Sequence, residues 1–242
     1  MRAIEDIHKA SRGNYGSPRV FAELKGLGFK CSRSRVERLM KKYGIRARTR
    51  RKFRVTTDSK HSFPVAPNLL NRNFSPRGPN AIWGADITYV WTKEGWLFLA
   101  VILDLYSRQV VGWGMDKRMT KELTLNALKM AINRRKPGPG LVHHSDRGSQ
   151  YACGDYQRLL KAHKMLCSMS RKGNCWDNAP VESFFHTLKT ECVYWEEFET
   201  REQAIRKIFE WIEILYNRTR RHSTLGHVSP VNFEIESLKK CA

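Results

Sequence analysis

The chain has 242 residues and carries 44 Lys and Arg against 23 Asp and Glu, giving a formal net charge of +21. This length can bury one sizeable core beside a small accessory domain, and the charge favours a polyanion such as nucleic acid as the partner. The longest apolar run, residues 96–103, is too short to span a bilayer, and no secretory signal is visible. We therefore expect a cytoplasmic protein that does not contact membranes.

Residues 1–50 are predicted to be helical and basic. Ser17, followed by Pro18, begins one helix, and Ser34 with Glu37 three residues later forms a capping box for a second. Two short helices joined by a Gly-containing turn predict a helix-turn-helix. The basic residues on its second helix, which we expect to contact DNA, are Arg35, Arg38, Lys41 and Lys42. The alternative is a helical hairpin that packs on the core and has a solvated basic face.

A basic, Pro-containing linker is predicted over residues 51–80, a core over residues 81–220 and a basic tail over residues 221–242. The order of strands and helices predicts an α/β core. Its predicted strands are 83–90, 96–103, 109–115, one ending at Asp146, and 165–169, the first three forming an antiparallel meander. Its predicted helices are 121–133, 151–163, 178–189 and 201–216, the last with Ile205, Ile208, Phe209, Ile212 and Leu215 buried.

Three acidic residues of the core are the candidate catalytic groups. Asp86 lies within the first strand, Asp146 ends an apolar run, and Glu182 follows it in a helix after 35 intervening residues. Hard divalent cations take oxygen ligands, and two such ions can stabilise both oxygens of an in-line phosphoryl transfer. The spacing therefore predicts a metal site for cutting and joining nucleic acid. The alternative is three ordinary surface acids, since the chain has 23 acidic residues.

The helix that carries Glu182 is predicted to be amphipathic. Its start is well specified, because Asp177 or Asn178 suits the N-cap and Pro180 suits the first turn. An apolar stripe is formed by Val181, Phe184, Phe185 and Leu188, beside a polar stripe of Glu182, His186 and Lys189. One face can therefore pack while the other faces metal and phosphate. We expect His143 and His144 to be strand residues beside the site rather than ligands.

Four sequence runs resemble a known family. They are WGADITY at 83–89, HSDRGSQY at 144–151, NAPVESFF at 178–185 and YNRTRRH at 216–222. Together they resemble the second-frame product of bacterial two-frame insertion-sequence transposases, which are relatives of retroviral integrases. The resemblance implies a ribonuclease H-like core, a mixed five-stranded sheet with flanking helices, preceded by the small helix-turn-helix-like domain. It also implies that Asp86, Asp146 and Glu182 bind Mg²⁺ or Mn²⁺, with two ions expected, and that Lys189 contacts DNA.

Two further basic segments are candidate DNA contacts. Arg171 and Lys172 lie in a loop just before the Glu182 helix, and Arg220 and Arg221 lie within the last of the four runs. For each pair the alternative is a solvated surface charge.

The function that the resemblance implies is a DNA transposase catalytic subunit that hydrolyses a phosphodiester at the element's ends and joins the ends to target DNA. Alternatives are a structure-selective metal-dependent nuclease and a non-catalytic DNA-binding regulator of transposition. The expected partners are the element's ends, target DNA and further copies of this chain on DNA. An upstream-frame product, joined by frameshift fusion, is also expected. The protein would then associate with the bacterial nucleoid when it is bound to DNA.

Overall fold

The computed structural model describes residues 1–48, 64–171 and 174–241. The N-terminal region forms three helices, α1 (Arg2–Ala10), α2 (Ser17–Gly26) and α3 (Arg33–Lys42). Their small core contains Ile4, Val20, Leu24, Val36 and Met40. The predicted start of the second helix is two residues too late, because Ser32 is the N-cap and its side chain accepts a hydrogen bond from the Arg35 N–H.

The core is built on a mixed five-stranded sheet, as expected. The strands are β1 (Ile82–Thr92), β2 (Gly95–Asp104), β3 (Val110–Asp116), β4 (Val142–Ser145) and β5 (Leu166–Met169). Their order is β3-β2-β1-β4-β5, with an antiparallel β1-β2-β3 meander and with β4 parallel to both β1 and β5. The sheet thus places the carboxyl ends of β1 and β4 in the same direction.

Helices cover both faces of the sheet. They are α4 (Lys121–Arg135), α5 (Ser149–Ala152), α6 (Gly154–Ala162), α7 (Ala179–Glu191), α8 (Arg201–Glu210) and α9 (Pro230–Cys241). One apolar cluster joins the sheet to α7 and α8, and a second joins it to α4 and α6. No helix in the described parts of the chain is long and apolar enough to cross a membrane.

The last predicted helix differs from the observed one. Helix α8 ends at Glu210, and a π-helix follows it directly over Trp211–Thr219. Ile208 and Ile212 are buried as predicted, but Phe209 is exposed, so that part of the prediction is wrong. The i, i+3, i+4 pattern assumes 3.6 residues per turn throughout, whereas a π-helix has a wider turn.

The segments predicted as linker and tail both contact the core where they are described. Within the linker, Leu70 is buried and the Leu69 N–H donates to Ser168 Oγ. Residues 49–63 of the predicted domain and linker lie outside the described residues. The tail contains α9, whose Glu234 accepts hydrogen bonds from Arg135 of α4. The predicted domain boundaries themselves stay a prediction.

Candidate active site

Parallel pairing of β1 and β4 places two of the predicted acids next to each other. Gly84 is paired with His144, and Asp86 and Asp146 each lie two residues further along their strands. Asp146 directly follows the end of β4, where its Oδ1 accepts a hydrogen bond of 2.9 Å from the Gly148 N–H. Asp86 Oδ1 accepts one of 2.8 Å from the Ile87 N–H. The sheet register therefore brings together residues that are 60 apart in sequence.

A close approach of α7 to β1 adds the third acid. A Cβ on Gly84 would lie 2.7 Å from Val181 Cγ2, so only glycine lets the two elements pack at this distance. Asn178, the N-cap residue of α7, donates through Nδ2 to the Ala85 carbonyl at 3.1 Å instead of capping its own helix. These two contacts fix the first turn of α7, which carries Glu182, beside the strand that carries Asp86.

The three acids and Lys189 interact electrostatically. The pKa of Asp86 is raised well above its usual value, first by burial and then by the negative charge of Asp146. Glu182 raises it further, whereas the Ile87 N–H and Lys189 act in the opposite direction. Burial also raises the pKa of Glu182 and lowers that of Lys189. Acidic groups of like charge are thus held close together and partly out of water, which disfavours their ionised forms. Added positive charge would stabilise those forms.

This donor set fits a divalent cation. Carboxylate oxygens are the ligands that Mg²⁺ and Mn²⁺ prefer, and the mutual repulsion of the acids is the feature that a cation would relieve. Within the described ranges, no group of three or more His, Cys, Asp or Glu side chains is arranged closely enough to hold an ion as it stands. The side chains of Asp86, Asp146 and Glu182 would therefore need to adjust on binding one.

The two histidines of β4 have partners within the fold. His143 Nε2 is 2.9 Å from the Tyr156 hydroxyl, and burial lowers the pKa of His143 to about 3. His144 hydrogen bonds to Ser168 and Ser170, and burial lowers its pKa to about 4. Both are therefore neutral strand residues beside the site, as predicted.

The loop before α7 is anchored by a buried acid that sequence reasoning considered only as a helix cap. Asp177 accepts hydrogen bonds from Arg171, Arg72 and Asn68, and the two guanidinium groups form ion pairs with it. Hydrogen bonding from Arg171 is the main cause of the lowered pKa of Asp177. Arg171 is thus an anchor of the loop, and its contact with DNA stays a prediction. Lys172 lies outside the described residues.

Arg220 and Arg221 form ion pairs within the fold, and their contact with DNA stays a prediction. Arg220 is buried, forms two hydrogen bonds of 2.7 Å with Glu191 at the end of α7, and lies over the Tyr216 ring. Arg221 pairs with Glu23 of α2 at 2.6 Å. Both guanidinium groups are therefore paired within the chain, and the pair of Arg221 with Glu23 helps to hold the N-terminal helices against the core.

Further ion pairs join those helices to the core. Arg12 of the α1–α2 turn pairs with Glu210 at 2.6 Å, and Arg19 pairs with Glu191 at 3.2 Å. The predicted DNA-contacting residues of α3 are exposed, namely Arg35, Arg38, Lys41 and Lys42. Lys42 lies over the ring of the neighbouring Tyr43. The basic face of α3 is thus available to a ligand.

Comparisons with known proteins agree with this fold. Family models described as "Integrase core domain" match residues 76–175 and 182–238, and one described as "HTH-like domain" matches residues 1–53. The structure is similar to a chain of the simian T-cell lymphotropic virus intasome, with a TM-score of 0.56 and 16% identity over 96% of this chain and 74% of that one. It is also similar to the HTLV-2 integrase catalytic core in complex with magnesium, with a TM-score of 0.52 and 18% identity over 65% of this chain and 98% of that one. The core therefore has the ribonuclease H-like integrase fold.

Comparison with sequence relatives identifies the family of the chain. The chain is 51% identical to the "Insertion element IS600 uncharacterized 31 kDa protein" of Shigella sonnei, over 95% of this chain and 85% of that protein. It is 47% identical to "Transposase InsF for insertion sequence IS3A" of Escherichia coli K12, over 94% of this chain and 79% of that protein. The chain belongs to the IS3 family of insertion-sequence transposases. It is a DNA-binding polynucleotidyl transferase with an integrase core.

Proposed function

We propose that Asp86, Asp146 and Glu182 form the catalytic centre for cleavage of DNA at the element's ends and for strand transfer into target DNA. The observation that carries this proposal is that the pairing of β1 with β4 and the packing of α7 on β1 bring three acids together. The similarity to an integrase core solved with magnesium supports divalent metal as the cofactor. We infer that the metal is Mg²⁺ or Mn²⁺ and that two ions are used.

The roles of the residues follow from their positions. Asp86, Asp146 and Glu182 would hold the metal, which when bound supplies the positive charge that stabilises the attacking and leaving oxygens of phosphoryl transfer. Lys189 lies two helical turns after Glu182 on the same helix, where its ammonium group can bind a DNA phosphate next to the acids. Asn178 and Gly84 position the helix and take no part in the chemistry.

Two successive reactions fit one such centre. In the first, water attacks a phosphodiester at the element's end, and the bond to the 3′ oxygen breaks to leave a free 3′ hydroxyl. In the second, that hydroxyl attacks a phosphodiester of target DNA and displaces its 3′ oxygen. Both reactions replace one oxygen on phosphorus by another, so no covalent intermediate with the protein is required.

Recognition of the element's ends would involve the N-terminal helices and a further protein. We propose that α3 contacts DNA through Arg35 and Arg38, and that several copies of the chain assemble on the two ends. An upstream-frame product, joined to this chain by frameshift fusion, would add the specificity that one small recognition helix lacks, since specific binding usually exceeds non-specific binding by about 10³ to 10⁷-fold. The protein would act in the cytoplasm, on DNA of the nucleoid.

The test is a strand-transfer assay with DNA that carries the element's own ends already cut to expose the 3′ hydroxyl. A transposase joins these ends to a target plasmid in the presence of Mg²⁺ or Mn²⁺, whereas a structure-selective nuclease only shortens them. Asp86→Asn is the negative control for chemistry. We expect the fusion with the upstream-frame product to join the ends and its Asp86→Asn variant not to join them. Degradation of the ends without joining would contradict the proposal.

A further inference from the structure

An aromatic groove lies next to the acid cluster, between the β1–β2 hairpin and the segment that follows α7. Its volume is about 780 Å³, within the range of about 300–1,000 Å³ that is usual for ligand sites. The aromatic residues that line it are Tyr89, Trp91, Trp96, Tyr194, Trp195 and Phe198. The three tryptophans are 58%, 45% and 41% exposed, respectively. Large apolar rings left in solvent and gathered in one groove indicate a binding surface.

The rings are held in place before any ligand binds. Trp91 and Trp96 are directly opposite each other in the β1–β2 register and meet edge to face, with ring centres 4.8 Å apart. Tyr89 contacts Trp96 in the same way at 4.9 Å. On the other wall, Trp195 Nε1 donates to the Thr190 carbonyl of α7. Little conformational freedom would therefore be lost on binding, which favours affinity.

The groove reaches the acid cluster through Lys189. The Lys189 ammonium nitrogen is 5.0 Å from the centre of the Tyr89 ring, and Lys189 also interacts with the charge of Asp86. Along β1, Tyr89 lies about 10 Å and Trp91 about 17 Å beyond Asp86. A DNA strand whose phosphate lies at the acids can thus extend into the groove within a few nucleotides.

The charges around the groove favour bases over phosphates. Lys93 and Lys189 line it together with Glu196 and Glu197, so its walls carry no net charge. Lys93 is paired with Glu199, and Glu196 is paired with Lys207. A phosphate backbone requires excess positive charge, whereas planar uncharged bases stack on aromatic side chains without it.

We propose that the groove binds unpaired nucleotides of the DNA strand next to the scissile phosphodiester, by stacking their bases on Trp91, Trp96 and Trp195. This inference rests on the proposed function, because it takes the reacting phosphate to lie at Asp86. Bases within a duplex are stacked on each other and cannot enter such a groove, so only frayed or single-stranded DNA fits. Arg48, whose guanidinium lies 5.2 Å from the Trp195 ring centre, would hold a phosphate at the rim.

The test measures binding alone, by fluorescence anisotropy without divalent metal. The probes are a labelled oligothymidylate and a labelled blunt hairpin duplex. Trp91→Ala should weaken binding of the oligothymidylate about five- to 150-fold, the usual cost of one lost stacking partner. Trp91→Phe, which keeps an aromatic face, should restore most of the affinity. Phe209→Ala removes an exposed aromatic side chain of α8 that packs on Trp113, and it should leave both affinities unchanged.

Three outcomes would overturn the inference. Equal weakening of single-stranded and duplex binding by Trp91→Ala would show a general DNA surface, and no weakening would show that bases do not stack there. Conversion of an oligomer to a monomer by Trp91→Ala, seen by sedimentation, would show that a second copy covers the groove. These results are independent of the proposed function, which fails only if strand transfer fails or persists in Asp86→Asn.

Discussion

Two sets of acids in the core have opposite surroundings, and their pKa values are shifted in opposite directions. Asp177 is fully buried yet has Arg171, Arg72 and Asn68 as partners, and its pKa is lowered. Asp86 and Glu182 have raised pKa values, because burial and neighbouring negative charge dominate their surroundings. The first arrangement stabilises the folded chain. The second costs stability and leaves an attraction for a cation, as expected of a binding site rather than of a structural element.

The same distinction separates two sets of cations. Arg220 and Arg221 are paired with Glu191 and Glu23, and the second of these pairs joins α2 to the core. Within the described parts of the chain, Arg35 and Arg38 form no ion pair with another residue and are exposed on α3. Charges that are paired within the fold therefore maintain its shape, and we propose that the unpaired charges bind ligands of opposite sign.

The largest expected effect comes from the unsatisfied acids. If the three acids hold the metal as proposed, Asp86→Asn, Asp146→Asn and Glu182→Gln should each reduce metal-dependent cleavage about 10³-fold or more, because a ligand charge contributes several kcal/mol to catalysis. The melting temperature should stay the same or rise, since repulsion within the cluster is relieved. Cleavage gels and thermal melts measure both. Asp116→Asn, an exposed acid of β3, is the matched control.

A variant of the three that cleaves at nearly the normal rate would show that its residue is not a ligand. A large fall in melting temperature would instead place that acid among the structural ones.

Sequence patterns predicted the elements and the acid triad because both depend on local information. Apolar periodicity marks β1, β2 and α7, and the acids fall within motifs of known spacing. The ion pairs of Arg220 and Arg221 could not be predicted from local patterns, because Glu191 lies on another core helix and Glu23 comes close only when the N-terminal helices dock. Asp177 was recognised as a possible cap, yet its partner Arg72 comes from a segment that the sequence showed only as linker.

The position of Glu182 should be sensitive to a single methyl group. Gly84→Ala places a Cβ 2.7 Å from Val181 Cγ2, so α7 must move away from β1. We expect a loss of about 1–3 kcal/mol in the free energy of unfolding and a large fall in cleavage. Val181→Ala removes the clashing methyl group, and in the double variant part of both losses should be recovered. Purely additive effects, measured by urea unfolding, would show that this contact does not set the position of the helix.

Replacement of Asp177, whose charge is paired within the fold, should lower stability, unlike replacement of an acid of the triad. Asp177→Asn should cost about 1–2 kcal/mol at neutral pH, a modest value because Arg171 and Arg72 are half exposed and screened by water. The pKa of Asp177 is lowered in the folded protein. Its contribution is therefore complete above the unfolded pKa of about 3.9 and is lost as the pH falls from there towards the folded pKa. The melting temperatures of the unchanged protein and of Asp177→Asn should converge as the pH is lowered. A difference that stays constant with pH would contradict the ion-pair role of Asp177.

The smallest expected effect concerns the unsatisfied cations of α3. If Arg35 and Arg38 each contact a phosphate of duplex DNA, then replacing either by Ala lowers the slope of log K against log salt by about 0.9, with only a few-fold loss of affinity. Arg206→Ala is the matched control, because Arg206 is also exposed but is paired with Glu202 on α8. Anisotropy titrations of a hairpin duplex at several salt concentrations give the slopes. Equal slopes for Arg35→Ala and Arg206→Ala would mean that α3 packs on the core without reading DNA, and that exposure of an unpaired charge does not by itself identify a ligand site in this protein.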